Sequence, residues 1–137
     1  MEASPVYKTF PRERTIDELL YNTSLWTAEF DFIRSELDFI KRLIKAYPFT
    51  STIPNLYERL QLFILELDNF EKEKNNISDK IHNYEMKLRE MKEIMLLDGG
   101  HFHMVEYEKI AEEVFMYLIH YKNLKIKIFE YINGLIK

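Results

Sequence analysis

From Leu56 to Met95 the residues Leu56, Leu60, Phe63, Leu67, Phe70, Ile77, Ile81, Tyr84, Leu88, Met91 and Met95 recur at alternating steps of three and four. Lys74 is the one interruption. That spacing lays them along one stripe of an α-helix and cannot be reconciled with the period of two of a strand. No glycine or proline falls within the run. If continuous from about 54 to 97 it would be on the order of 65 Å long, at ~1.5 Å per residue, and only lateral packing supports such a helix.

Two more segments share the pattern. Thr15-Ile-Asp-Glu18 reads as a capping box, after which Ile16, Leu19, Thr23, Trp26, Phe30, Ile33, Leu37, Ile40, Ile44 and Tyr47 keep the alternation until Pro48 stops it. Pro54 opens the second segment and Asp98-Gly99-Gly100 closes it. In the third, His103, Tyr107, Ile110, Val114, Tyr117, Tyr121, Leu124, Ile128, Tyr131 and Leu135 form the stripe, widened by Ala111, Phe115, Leu118, Phe129, Ile132 and Ile136 so that it can touch two neighbours. The expected fold is an all-α, antiparallel up-down bundle with left-handed, coiled-coil-like crossings. Residues 1–14, with Pro5 and Pro11 and no periodicity, read as a flexible tail before a single domain, 15–137. Heptad phase persists across Asn75-Asn76 and favours three helices; a reversal at that polar pair would give four.

Composition narrows the function classes. With no cysteine among 137 residues there is no disulfide framework, thiolate nucleophile or thiolate metal site. Three glycines, at 99, 100 and 134, argue against phosphate-cradling loops and dinucleotide fingerprints. A net charge of -4 with both signs interspersed gives no footprint for nucleic acid or anionic lipid. No signal-like start or run of about 18 uncharged apolar residues is present, so a cytoplasmic protein is expected. Neither a nucleophile–histidine–acid order nor a nucleophile elbow can be found, and a non-enzymatic role is expected.

Glu29 and Glu36 are the anomalies of the first segment, because they fall near the middle of its apolar half. A carboxylate withdrawn from water needs a cation, a metal or an interface. With tight turns, residue n of the first helix lies level with about 102 minus n on the second and about 98 plus n on the third. Three helices then bring Glu29 to Lys74 and Lys125, an interior charge cluster that would set register. Four helices instead bring Glu29 and Glu36 towards Asp79, His82, Glu113 and His120, a His/carboxylate set of the kind that holds Fe, Mn or Zn in ferritin-like or hemerythrin-like bundles. The set is incomplete for a di-iron site, which wants two Glu-x-x-His motifs.

His101-Phe-His103 could chelate a metal only from an extended backbone; otherwise it is a helix start. Glu106, Glu113 and His120 form a seven-residue stripe that reads as a solvated flank. Tyr107, Tyr117, Tyr121 and Tyr131 suit a core with polar layers or a subunit interface, and alternatively the wall of a small-ligand cavity.

The string Trp26-x-x-Glu29-x-x-Phe32-x-x-x-Glu36-x-x-Phe39, with His101-x-His103 far downstream, resembles small uncharacterised all-helical bacterial proteins of flavobacterial type. The resemblance covers most of the chain after the tail and implies a helical fold with no assigned activity. Asp79 and Tyr84 depart from it, because those proteins carry more histidine in the long middle helix. The expected function is therefore contact with protein partners, foremost self-association into a homo-oligomer. Phe32, Phe39, Phe115 and Phe129 are the expected interface, because the apolar faces of the first and third helices exceed what three helices need.

Overall fold

The computed structural model describes residues 15–46, 53–94 and 100–135. They form three helices, α1 (Ile16–Ala46), α2 (Leu56–Ile94) and α3 (Gly100–Leu135), and the described residues contain no strand. The tail expected at 1–14 lies outside the described residues.

Each helix starts or continues for local reasons. At the head of α1 the Thr15 amide donates to Glu18 Oε1 at 2.9 Å and the Glu18 amide donates to Thr15 Oγ1 at 3.2 Å, so two otherwise unsatisfied donors are closed reciprocally. Ahead of α2, Asn55 takes a φ of 56°, a left-handed conformation that asparagine tolerates better than most residues. Its carbonyl then accepts from the Arg59 amide at 3.0 Å. α2 runs unbroken for 39 residues through Asn75 and Asn76, both exposed, so the four-helix alternative is not formed. The pair costs little helix propensity at solvent positions while Ile77 and Ile81 go on filling the interior.

The buried residues follow the three-four alternation. Leu19, Trp26, Phe30, Ile33, Leu37, Ile40 and Ile44 of α1 face Leu60, Phe63, Leu67, Ile77, Ile81, Tyr84 and Leu88 of α2. Tyr107 through Ile132 complete the core from α3. α1 runs closest to α2, whereas α1 and α3 approach each other least. Bulky rings stand between those two: Trp26 stacks on Tyr107 with centroids 5.2 Å apart, and Phe30 tilts against Tyr117 at the same distance.

Cross-helix partners define the register. Asp17 pairs with Lys92 and Lys41 with Asp68 and Glu71, so α1 and α2 are antiparallel. Lys80 meets Glu113, Lys87 meets Glu106 and Phe63 packs edge-on against Tyr131, so α2 and α3 are antiparallel as well. Relative to the register expected from tight turns, α2 is slid along α1 by about seven residues and α3 by about eleven, or two and three helical turns. Slides of whole turns return the same stripe to the interior, so the heptad pattern cannot distinguish them.

Candidate functional site

The slide changes the neighbours of every charged residue singled out in the sequence. Lys125 does not meet Glu29. Its ammonium donates to both oxygens of Glu36, at 3.0 and 3.1 Å, and lies 5.3 Å over the Tyr121 ring. The Tyr121 hydroxyl donates to Glu36 Oε1 at 2.9 Å. Both side chains of the ion pair are mostly withdrawn from solvent, 18% and 20% exposed, so the attraction is screened less than on an open surface. Glu29 is half-buried one heptad earlier on the same flank and is engaged within the protein.

Lys74 occupies a core position of α2, 5% exposed, with its ammonium donating to Asn75 Oδ1 at 3.0 Å. The expected cluster of Glu29, Lys74 and Lys125 is thus replaced by a Glu36–Lys125 pair and a separate Lys74. Burial lowers the pKa of Lys74 and Arg34 adds repulsion; Glu71, Asp31 and Asp38 pull the other way. For Lys41, burial also works against the charge, but hydrogen bonds to Glu71 and Asp68 outweigh it and raise the pKa.

The His/carboxylate set is dispersed. Glu36 is held by Lys125 and Tyr121, and Glu113 pairs with Lys80. His82 and Asp79 are exposed on α2, and His120 is exposed on the α2-facing flank of α3. His120 borders a wide open cavity of about 720 Å³ between α2 and α3, lined also by Glu73, Lys80, Lys109 and Glu112. Among the described residues no group of three or more His, Asp or Glu is disposed to hold a metal ion. The physical reason is the continuous α2, which carries His82 away from the α1–α3 side where Glu36 sits. The backbone at His101 and His103 is helical rather than extended.

The tyrosines of the α3 stripe pack within the bundle. Tyr107, Tyr117 and Tyr121 are buried, and the Tyr117 hydroxyl donates to the Phe70 carbonyl at 3.0 Å. Burial raises the pKa of Tyr117, with Glu73 and Glu71 adding to it. Burial also raises that of Tyr121, reinforced by the Glu36 charge and hydrogen bond. Both phenols therefore keep their protons near neutral pH. The ring stacks leave no tyrosine on the α2–α3 cavity wall.

Two further polar contacts lie inside the bundle. Asn22 Nδ2 donates to the Tyr107 hydroxyl at 2.9 Å. Thr23 Oγ1 lies 3.0 Å from the Leu20 carbonyl and 2.9 Å from Glu85 Oε2, so its single proton is shared between them.

The candidate site is the gap between α1 and α3. Glu36 and Lys125 mark the facing edges; on the outer side Phe32 and Phe39 stand four and three residues from Glu36, and Phe129 and Phe115 four and ten residues from Lys125. Phe32 is 59% exposed, Phe39 57%, Phe115 60% and Phe129 43%. Ile119 and Ile126 are exposed beside them on α3, and Tyr21 on α1. These three were not singled out from sequence; the signal that finds them is helical spacing, with Ile119 four residues after Phe115, Ile126 three before Phe129 and Tyr21 eleven, or three turns, before Phe32.

No protein-family model matches the chain, and neither the curated proteins nor the solved structures give a significant match. The fold and site define a three-helix up-down-up bundle with an aromatic-flanked gap between its first and last helices. Among the described residues no helix is long and apolar enough to cross a membrane.

Proposed function

We propose that this is a non-enzymatic bundle protein that works through protein contacts, with self-association as its first activity. The observation that supports the reading is the exposure of Phe32, Phe39, Phe115 and Phe129 on the two flanks of one gap. At ~150–250 Å² per aromatic side chain, the exposed fractions of the four amount to roughly 400 Å², within the ~300–600 Å² range of the largest, often functional, patch on a typical monomer.

The test is mass in solution. Sedimentation equilibrium of the full chain across a hundredfold concentration range is expected to give a mass that rises from monomer towards a multiple of it. A monomer mass at every concentration would refute self-association.

A further inference from the structure

The apolar residues of the gap are arranged about a common level. On α1, Phe32 and Phe39 stand equally far on either side of Ser35 and Glu36. On α3, Phe115 and Phe129 stand equally far from Lys122, and Ile119 and Ile126 from nearly the same point. The two levels coincide in space, because Glu36 takes its hydrogen bonds from Tyr121 and Lys125, which bracket Lys122. Two helices of unrelated sequence thus carry apolar residues centred on one height of the bundle.

We infer that the occupant of this surface is a second copy of the chain, lying antiparallel across the α1–α3 face, with a two-fold axis perpendicular to the helices at the level of Glu36 and Lys122. The inference rests on the self-association reading. A two-fold contact is isologous, so each residue must meet the counterpart at equal and opposite distance from the axis. An axis at this level sets Phe32 against the other copy's Phe39, Phe115 against its Phe129 and Ile119 against its Ile126.

A parallel arrangement at the same height would leave Phe129 level with Arg42 instead. The area is also appropriate. Adding Tyr21, Ile119 and Ile126 to the phenylalanines brings the exposed apolar surface to roughly 600 Å² per copy, and the rim residues carry it towards the ~800 Å² that each partner gives to a standard interface. The partly buried Glu36–Lys125 pair would become a fully enclosed polar layer near the axis, already neutralised within each copy.

Spin labels give the test, since a chain without cysteine accepts them only where they are introduced. Ser35→Cys places a label beside the axis, and Asn133→Cys places one near the end of α3; both sites are exposed. In the antiparallel dimer two Ser35 labels lie within about 20 Å, while two Asn133 labels are separated by about 33 Å along the helix direction, at ~1.5 Å per residue on each side. Short distances at both sites would mean parallel copies, overturning the antiparallel axis and leaving self-association intact. A dimer with long distances at both sites would place the contact on another face and overturn the inference in the same way. A monomeric mass with no intermolecular distance at either site would overturn the inference together with the reading beneath it.

Discussion

Lys125 of α3 holds both carboxylate oxygens of Glu36 on α1, an ion pair across the two helices that approach each other least. Tyr121 donates a third hydrogen bond to the same carboxylate. Two donor groups, making three hydrogen bonds to one mostly buried acid, couple the elements that otherwise touch least, so the energetic content of the site can be measured one residue at a time.

Glu36→Gln leaves the Lys125 ammonium without its counter-charge, and Lys125→Met leaves the carboxylate with only a phenol. Each change is expected to cost about 1–3 kcal/mol of stability, as for loss of one partner of a charge-assisted hydrogen bond. The double change Glu36→Gln with Lys125→Met should cost less than the sum of the two single losses, because no charge is then left unpaired. Urea denaturation of the four proteins gives the coupling directly, and strict additivity would show that the pair contributes nothing as a pair.

Lys74 has the opposite character: its folded pKa lies below the ordinary 10.5, mainly through burial. Between the lowered value and 10.5 the unfolded chain binds more protons than the folded one, so this residue makes stability rise with pH in that window. At neutral pH it is a charge held in the core at a cost, and Lys74→Met is expected to stabilise the bundle by about 1 kcal/mol. The difference in stability between the natural protein and the variant should shrink as pH approaches 10.5. A constant difference from pH 7 to 10.5 would mean that the ammonium is solvated in the folded state.

The two buried phenols act above that range and in the other direction. Tyr117 and Tyr121 have pKa values raised far above the usual 10.0, principally by burial. Above pH 10 the unfolded chain loses protons that the folded chain keeps, so stability falls as pH rises. Spectrophotometric titration is expected to show these two ionising only together with the loss of helix, and Tyr117→Phe with Tyr121→Phe should flatten the alkaline fall. Ionisation of all tyrosines near pH 10 with helicity intact would contradict the burial.

How much of this was legible beforehand depends on which interactions repeat along the chain. The helices, the Thr15–Glu18 cap and the unbroken passage through Asn75-Asn76 follow from period and end signals, which are local. The level of one helix against another is not local. A heptad stripe looks the same after a slide of two turns, so Glu29 and Glu36 were interchangeable as partners for Lys125 until cross-helix distances separated them. Nine residues separate Ala46 from Leu56, more than a tight turn needs, and the α1–α2 partners depart from the assumed register, as do the α2–α3 partners Lys80–Glu113 and Lys87–Glu106. Phe32, Phe39, Phe115 and Phe129 were legible as surplus apolar residues because they exceed the stripe that a three-helix core uses. Their common centre was not, since it requires the level of α3 on α1.

That common centre leads to a charge-swap experiment. Phe32→Glu alone would set a carboxylate against the other copy's Phe39, and Phe39→Lys alone an ammonium against its Phe32. Each alteration occurs twice in a two-fold dimer, so either variant is expected to weaken association by tenfold or more, a loss of about 1.4 kcal/mol or above. Combined in one chain, the substitutions place each new glutamate opposite a new lysine of the partner, twice over, and association should recover relative to both single variants. Within one chain the two positions are seven residues apart, about 10 Å along the helix, so direct intramolecular pairing cannot produce the rescue. Both residues are more than half exposed, and circular dichroism should report the same helix content in all four proteins. If the double variant associates more weakly than either single one, Phe32 does not face Phe39 across the axis, and a different pairing of the two copies is required.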